Sequence, residues 1–272
     1  MKTSFTAFCR RNLGFFKLAV TSNLEYRLNF LLDSLFQPMV SSIVEMVLWT
    51  AIFLGAQATE IAGFGKNYYL AYALWTTFIA RITVNWMYEF RMIEEIDGGS
   101  INGLLSRPMS YYEYYLSQLL GYKVTTALIS LCFPVFIIWA FDLPTIWNRL
   151  PLTMALIIYY LFFVYGMSFC IASLAFFFNK VHSLTTTKNL ALWLLTGELF
   201  PLDLMPENLK NLVLQLPFSN GAYIPVGYLT GRIGGDVVIQ GFMTTTAGLI
   251  LVSCAGYFLW KLGLRRYVGT GA

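Results

Sequence analysis

Few residues in this chain could do chemistry. Two of them, Glu45 and Arg81, sit inside strongly apolar runs. An ionisable group at membrane depth costs at least ~2.5–3.5 kcal/mol on insertion scales, so it must face protein or water and have a partner. If the two runs are antiparallel neighbours, Glu45 and Arg81 lie at similar depth, and we expect them to pair. Such a pair either fixes helix register or lines a polar path. Lys123 and Glu198 are further ionisable groups in apolar surroundings. With Glu45 and Arg81, they are the groups that a carrier would use.

The densest polar stretch is Glu89 to Tyr115, EFRMIEEIDGGSINGLLSRPMSYYEYY, which holds Glu89, Glu94, Glu95, Asp97 and Glu113 in a chain with fourteen acids. A helix-compatible run, Phe90 to Ile96, stops at Gly98-Gly99. A second, Ser100 to Ser106, stops before Pro108. Glycine after a helix and proline just beyond one are stop signals with a steric cause. The stretch reads as one or two short helices outside the membrane, able to receive force from a soluble partner, or as a solvated connector.

Other chemistries find no support. Cys9, Cys132, Cys170 and Cys254 show no paired spacing, and with the lone His182 they make no metal site or disulfide framework. There is no GxxxxGK[ST] loop to cradle nucleotide phosphates, no HExxH and no GxSxG. An enzyme reading has little to stand on. Neither a resident cofactor nor a nucleic-acid partner is expected.

The elements that would position these residues follow from composition. The 272 residues are 57% hydrophobic and 12% charged, against roughly 25% charged in soluble domains. Most of the chain therefore needs lipid as its solvent. The first residues are interrupted by Arg10, Arg11 and Lys17 and do not read as a cleavable signal peptide.

We expect one all-α membrane domain, 1–272, with six spans at 28–54, 68–88, 116–141, 152–178, 184–200 and 237–260. Residues 3–25 form an amphipathic helix in the membrane surface, with Phe5, Phe8, Cys9, Phe15, Phe16, Ala19 and Val20 on one face. Pro38 predicts a kink or weakened turn in the first span. Small residues from Gly166 to Ser173 allow another helix to approach the fourth span closely. Asn179 to Lys188, with His182 and Lys188, reads as a polar turn that runs into the start of the fifth. Residues 201–236 are apolar but broken by Pro201, Pro206, Pro217 and Pro225. Such segments are candidates for re-entrant pieces.

Six spans place Lys2, Arg10, Arg11, Lys17, Arg27, Arg91, Arg107, Lys180, Lys188, Lys261, Arg265 and Arg266 on one side, against Lys66, Arg149, Lys210 and Arg232 on the other. The basic side is the cytoplasmic one. Both termini and 89–115 are then cytoplasmic, and 201–236 is extracytoplasmic.

Taken together, the pattern resembles the membrane subunit of an ABC type-2 exporter, in its compact six-helix form without a fused ATPase. Two stretches carry the resemblance: IEEIDGGSINGLLSRPMSYYEYY (Ile93 to Tyr115) is similar to the family's coupling-helix region, and GELFPLDLMPENLKNLVLQLPF (Gly197 to Phe218) to its two short re-entrant helices. The resemblance implies a dimer of identical or related permeases above two separate cytoplasmic ATPases that bind ATP and Mg. It places Glu94, Glu95, Asp97, Gly98, Gly99, Leu104, Leu105 and Arg107 at or near the ATPase contact. It puts Gly197, Glu198, Pro201, Pro206 and Pro217 in the re-entrant region. It implies outward transport in a bacterial-type inner membrane. The aromatic-rich spans fit an amphiphilic cargo, such as a lipid, a lipid-linked glycan or a hydrophobic drug. An ATP-independent carrier or channel, and an intramembrane lipid or glycan enzyme, remain the alternatives.

Overall fold

A computed structural model describes residues 5–25, 27–107 and 109–267. Helix α1 (Phe5–Glu25) leads into α2 (Arg27–Ala56). A π-helical turn, Leu32–Phe36, interrupts α2 just before Pro38. Proline has no N–H to offer the carbonyl four residues back. The chain instead makes the longer bond of a π turn, Gln37 N–H to Leu32 O. The irregularity expected from Pro38 takes this form.

Gln57, in the left-handed region at φ 48°, ends α2. A two-stranded antiparallel hairpin, β1 (Glu60–Ile61) and β2 (Phe64–Gly65), then turns through Ala62 and Gly63, both at positive φ.

Helix α3 (Lys66–Thr83) is the centre of the molecule. Tyr69, Tyr72, Leu74, Trp75 and Ile79 are each 1% exposed or less. The helix stops at Val84, whose ψ is 126°, and α4 (Trp86–Asp97) begins two residues later. This break replaces the continuous span expected over 68–88. Lys123 holds it open: its Nζ donates to the carbonyl of Arg81 at 2.7 Å and to that of Val84. A cation at a helix C-terminus satisfies carbonyls that the helix leaves free.

After α5 (Asn102–Leu105) come α6 (Tyr111–Ala140), α7 (Trp147–Phe176) and α8 (His182–Leu195). Then follow α9 (Glu207–Leu214), α10 (Tyr223–Leu229) and α11 (Gly235–Arg266). Among the described residues, four helices, α2, α6, α7 and α11, are long and apolar enough to cross a membrane. Helices α3 and α8, at the second and fifth expected spans, are not among them. At about 1.5 Å per residue, the 14 residues of α8 reach only about 21 Å.

Small residues set the helix contacts. A Cβ at Gly166 of α7 would stand 2.6 Å from Val252 Cγ2 of α11, so the close approach expected at this stretch occurs. A Cβ at Gly121 of α6 would meet the Phe16 carbonyl of α1 at 2.7 Å.

Helix α1 runs beside the first half of α6 in the same chain direction, with Arg11 bound to Glu113 at 2.7 Å and Asn23 to Thr125 at 3.3 Å. Phe15, Phe16, Ala19 and Val20 are taken up by this contact, with Phe15 edge-on to Tyr114. Cys9 is exposed. Asn12, which breaks the apolar pattern, accepts a hydrogen bond from Ser117 at 3.0 Å. Phe5 and Phe8 lie among residues whose side chains are outside the description.

Candidate functional site

Helix α4 has two faces. Glu89, Met92, Ile93 and Ile96 are buried at helical spacing, while Arg91, Glu94 and Asp97 are exposed. The end of the helix is defined by Gly98, whose N–H donates to the Glu94 carbonyl at 2.9 Å, and by Gly99 at φ 75°. Only glycine takes that conformation without a Cβ penalty. Leu104 packs inward, whereas Leu105 and Arg107 are exposed.

The structure divides the proposed contact residues. Glu94, Asp97, Leu105 and Arg107 can be touched from outside. Glu95 is engaged internally, 3.5 Å from Arg91 Nε and accepting from the Tyr111 hydroxyl at 3.0 Å. Tyr111 in turn stacks on Trp260 of α11. His182, at the start of α8, stacks on Phe90 and stands 4.0 Å from Glu94. Partial burial pushes the Asp97 carboxyl above its ordinary value, and nearby His182 pulls the other way.

An ion pair not anticipated from sequence lies beneath this surface. Lys188 of α8 binds the fully buried Glu89 and reaches Ser168 Oγ of α7 at 3.2 Å. Lys188, expected in a polar turn, is inside α8. A signal was present: Glu89, Met92, Ile93 and Ile96 follow the i, i+3, i+4, i+7 spacing of one buried helix face.

Arg81 and Glu45 do not pair. Arg81 binds the Asp33 carboxylate at 2.7 Å, the Asp33 carbonyl at 2.6 Å and Gln37 Oε1 at 3.1 Å. Register explains the correction. Trp49 packs on Tyr69, so Arg81, twelve residues on, lies opposite residue 37. Glu45 is eight residues from there, or about 12 Å along the axis.

Glu45 and Arg81 nevertheless line one cavity of about 250 Å³, between α2, α3, α7 and α8. Glu198 closes it from the turn after α8.

At the far end, Asp203 is a hub with only 3% of its side chain exposed. It binds Lys210 at 2.6 Å, Arg232, and the Tyr223 hydroxyl at 2.8 Å. Arg232 also covers the ring of Phe64 at 3.5 Å. This ties residues 201–236 to the β1–β2 hairpin. Gly197 turns at φ 79°, and its carbonyl accepts from Tyr72 at 2.5 Å. Pro201 is buried, Pro206 precedes the first turn of α9, and Pro217 opens a 3₁₀ turn against Gly248.

The two clusters lie at opposite ends. Glu94 meets His182, and the Gly99 carbonyl accepts from Tyr267, at one end. Asp203, Arg232 and Phe64 meet at the other. Among the described residues, no group of three or more His, Cys, Asp or Glu is placed to hold a metal ion.

A family model described as ABC-2 family transporter protein matches residues 39–271. The match takes in α3 to α11 and most of α2. A search of curated proteins finds no match to the chain.

Proposed function

The chain belongs to the ABC-2 family of transporter proteins, and on that premise we propose that it is the permease subunit of an ATP-driven exporter, powered by separate ATPases docked on α4 and α5. The observation that carries this reading is the two-sided α4. Its outer face offers Glu94 and Asp97 to a partner. Its inner face is locked to α8 and α7 through Glu89, Lys188 and Ser168. A helix held in this way passes on a push as a rigid-body shift, which a loose loop would absorb.

In this reading α4 and α5 are cytoplasmic, on the side with the excess of Lys and Arg. Closure of two ATPases displaces α4, and the Glu89–Lys188 pair carries the displacement to α8, which borders the cavity. Two permeases, identical or related, complete the assembly. Helices α3 and α8 are the second and fifth of six spans. They need no apolar outer coat where protein surrounds them. Residues 201–236 close the extracytoplasmic end, and the membrane is an inner membrane of bacterial type.

The test is purification of the tagged chain from its native host in mild detergent. A stoichiometric ATPase in the preparation is expected, and Glu94→Lys with Asp97→Lys should release it while the permease stays folded. The polar cavity favours one other reading, an ATP-independent carrier. Its signature would be a chain that purifies alone and moves solute in liposomes without ATP.

A further inference from the structure

The cavity between α2, α3, α7 and α8 holds two acidic side chains that no cation among the described residues pairs with. Glu45 comes from α2 and Glu198 from the turn after α8, and they lie within electrostatic range of each other. Arg81, the cation on the same wall, is held by Asp33. Among the described residues, neither Glu45 nor Glu198 belongs to an ion pair.

A second observation points to a ligand. Tyr160 is 1% exposed and lines the cavity, within electrostatic range of Glu198. Its hydroxyl has no hydrogen-bond partner among the described residues. Buried tyrosine hydroxyls are normally bonded, so this one, on a residue that lines the cavity, is an unmet polar group beside it.

Two further walls are indoles, Trp86 and Trp193. Indole faces attract organic cations, alkylated ammonium groups above all. Size decides between ions. A volume of about 250 Å³ has room for an ammonium group with its alkyl substituents, whereas a bare metal ion would leave most of it wet. An anionic head group would find no free cation on this lining, since Arg81 is held by Asp33.

We infer that this cavity recognises the cationic ammonium head group of the transported amphiphile. The inference rests on the permease reading above and narrows its cargo. Glu45 and Glu198 neutralise the charge, the indoles cover the alkylated nitrogen, and Tyr160 supplies a hydroxyl. Val44 and Leu48, exposed beside Glu45 on α2, offer an apolar surface along which the tail can lie.

The test uses the full chain in a neutral detergent, without ATPase or ATP. Tryptophan fluorescence is titrated with choline and with its uncharged isostere 3,3-dimethylbutan-1-ol, with sodium chloride matching ionic strength. Choline should saturate, with the isostere weaker by roughly tenfold or more. Glu45→Gln and Glu198→Gln should each weaken choline binding by roughly tenfold, and the double variant should abolish saturation. Circular dichroism melts check folding. If a glutamine variant fails to fold, Tyr160→Phe and Trp193→Phe are read in its place, each expected to weaken choline and not the isostere.

Equal binding of the isostere, wild-type choline affinity in the double variant, or the same signal from sodium alone would overturn the inference. The two readings fail separately. A chain that recruits its ATPase but ignores choline rejects only the cation site. A chain that binds choline but recruits no ATPase rejects the exporter reading and leaves the site.

Discussion

Lys188 and Glu89 form an ion pair in the protein interior, with side-chain exposures of 6% and 0%, across 99 residues of sequence. The pair joins α8 to α4, and Ser168 of α7 completes the lysine's contacts. Each charge depends on the other, since removing one partner of a buried pair leaves an uncompensated charge and costs about 3–5 kcal/mol.

Glu89→Gln or Lys188→Met should therefore lower the melting temperature sharply, as read by fluorescence-detected size exclusion after heating. The double replacement Glu89→Leu with Lys188→Met should be milder than either single change, because it buries no lone charge. If the double variant is worse than both, the pair is not the stabilising unit.

Asp33, not Glu45, is the partner of Arg81. Asp33→Asn should destabilise the fold, whereas Glu45→Gln should leave thermal stability within about 0.5 kcal/mol of wild type, as expected for a side chain outside any ion pair. Exchanging the charges of Glu45 and Arg81 should give no rescue of Arg81→Glu. Rescue would restore the pairing that the register excludes.

The contact of α7 with α11 at Gly166 and Val252 should behave as an overpacked site when enlarged. Gly166→Ala should cost about 1–3 kcal/mol, and Val252→Ala should recover part of it. An additive double variant would show that the two residues do not touch.

Asp203 joins two cations and a tyrosine at the far end. Asp203→Asn should loosen 201–236 from the β1–β2 hairpin, so limited proteolysis should cut both segments faster than in wild type. Unchanged cleavage would contradict the hub.

Much of this arrangement could be read from residue types, and the exceptions have physical causes. The short helices of 89–107 were legible because Gly98 and Gly99 stop a helix for steric reasons. The broken segment after Gly197 was legible from its prolines. The end of helix α3 is not legible, because no glycine or proline marks Val84; the break depends on Lys123, about forty residues away. Its polar side chains also hide its central position: Tyr69, Tyr72 and Thr76 bond the carbonyls of Ile61, Gly197 and Tyr72. The Glu45–Arg81 pair does not form because antiparallel neighbours at similar depth need not be in register, and the Trp49–Tyr69 packing sets that register. Glu95 looks like Glu94 in sequence. Only the neighbouring Tyr111 reveals that it faces inward.

The most direct measurement compares what co-purifies with the wild-type chain and with the Glu94→Lys, Asp97→Lys variant from the native host. An ATPase present in equal stoichiometry with the first and missing from the second, with both permeases eluting as folded species, is the expected result. A wild-type chain that purifies without any ATPase would contradict the claim that this permease is ATP-driven. An ATPase that stays bound to the variant would contradict its docking on α4.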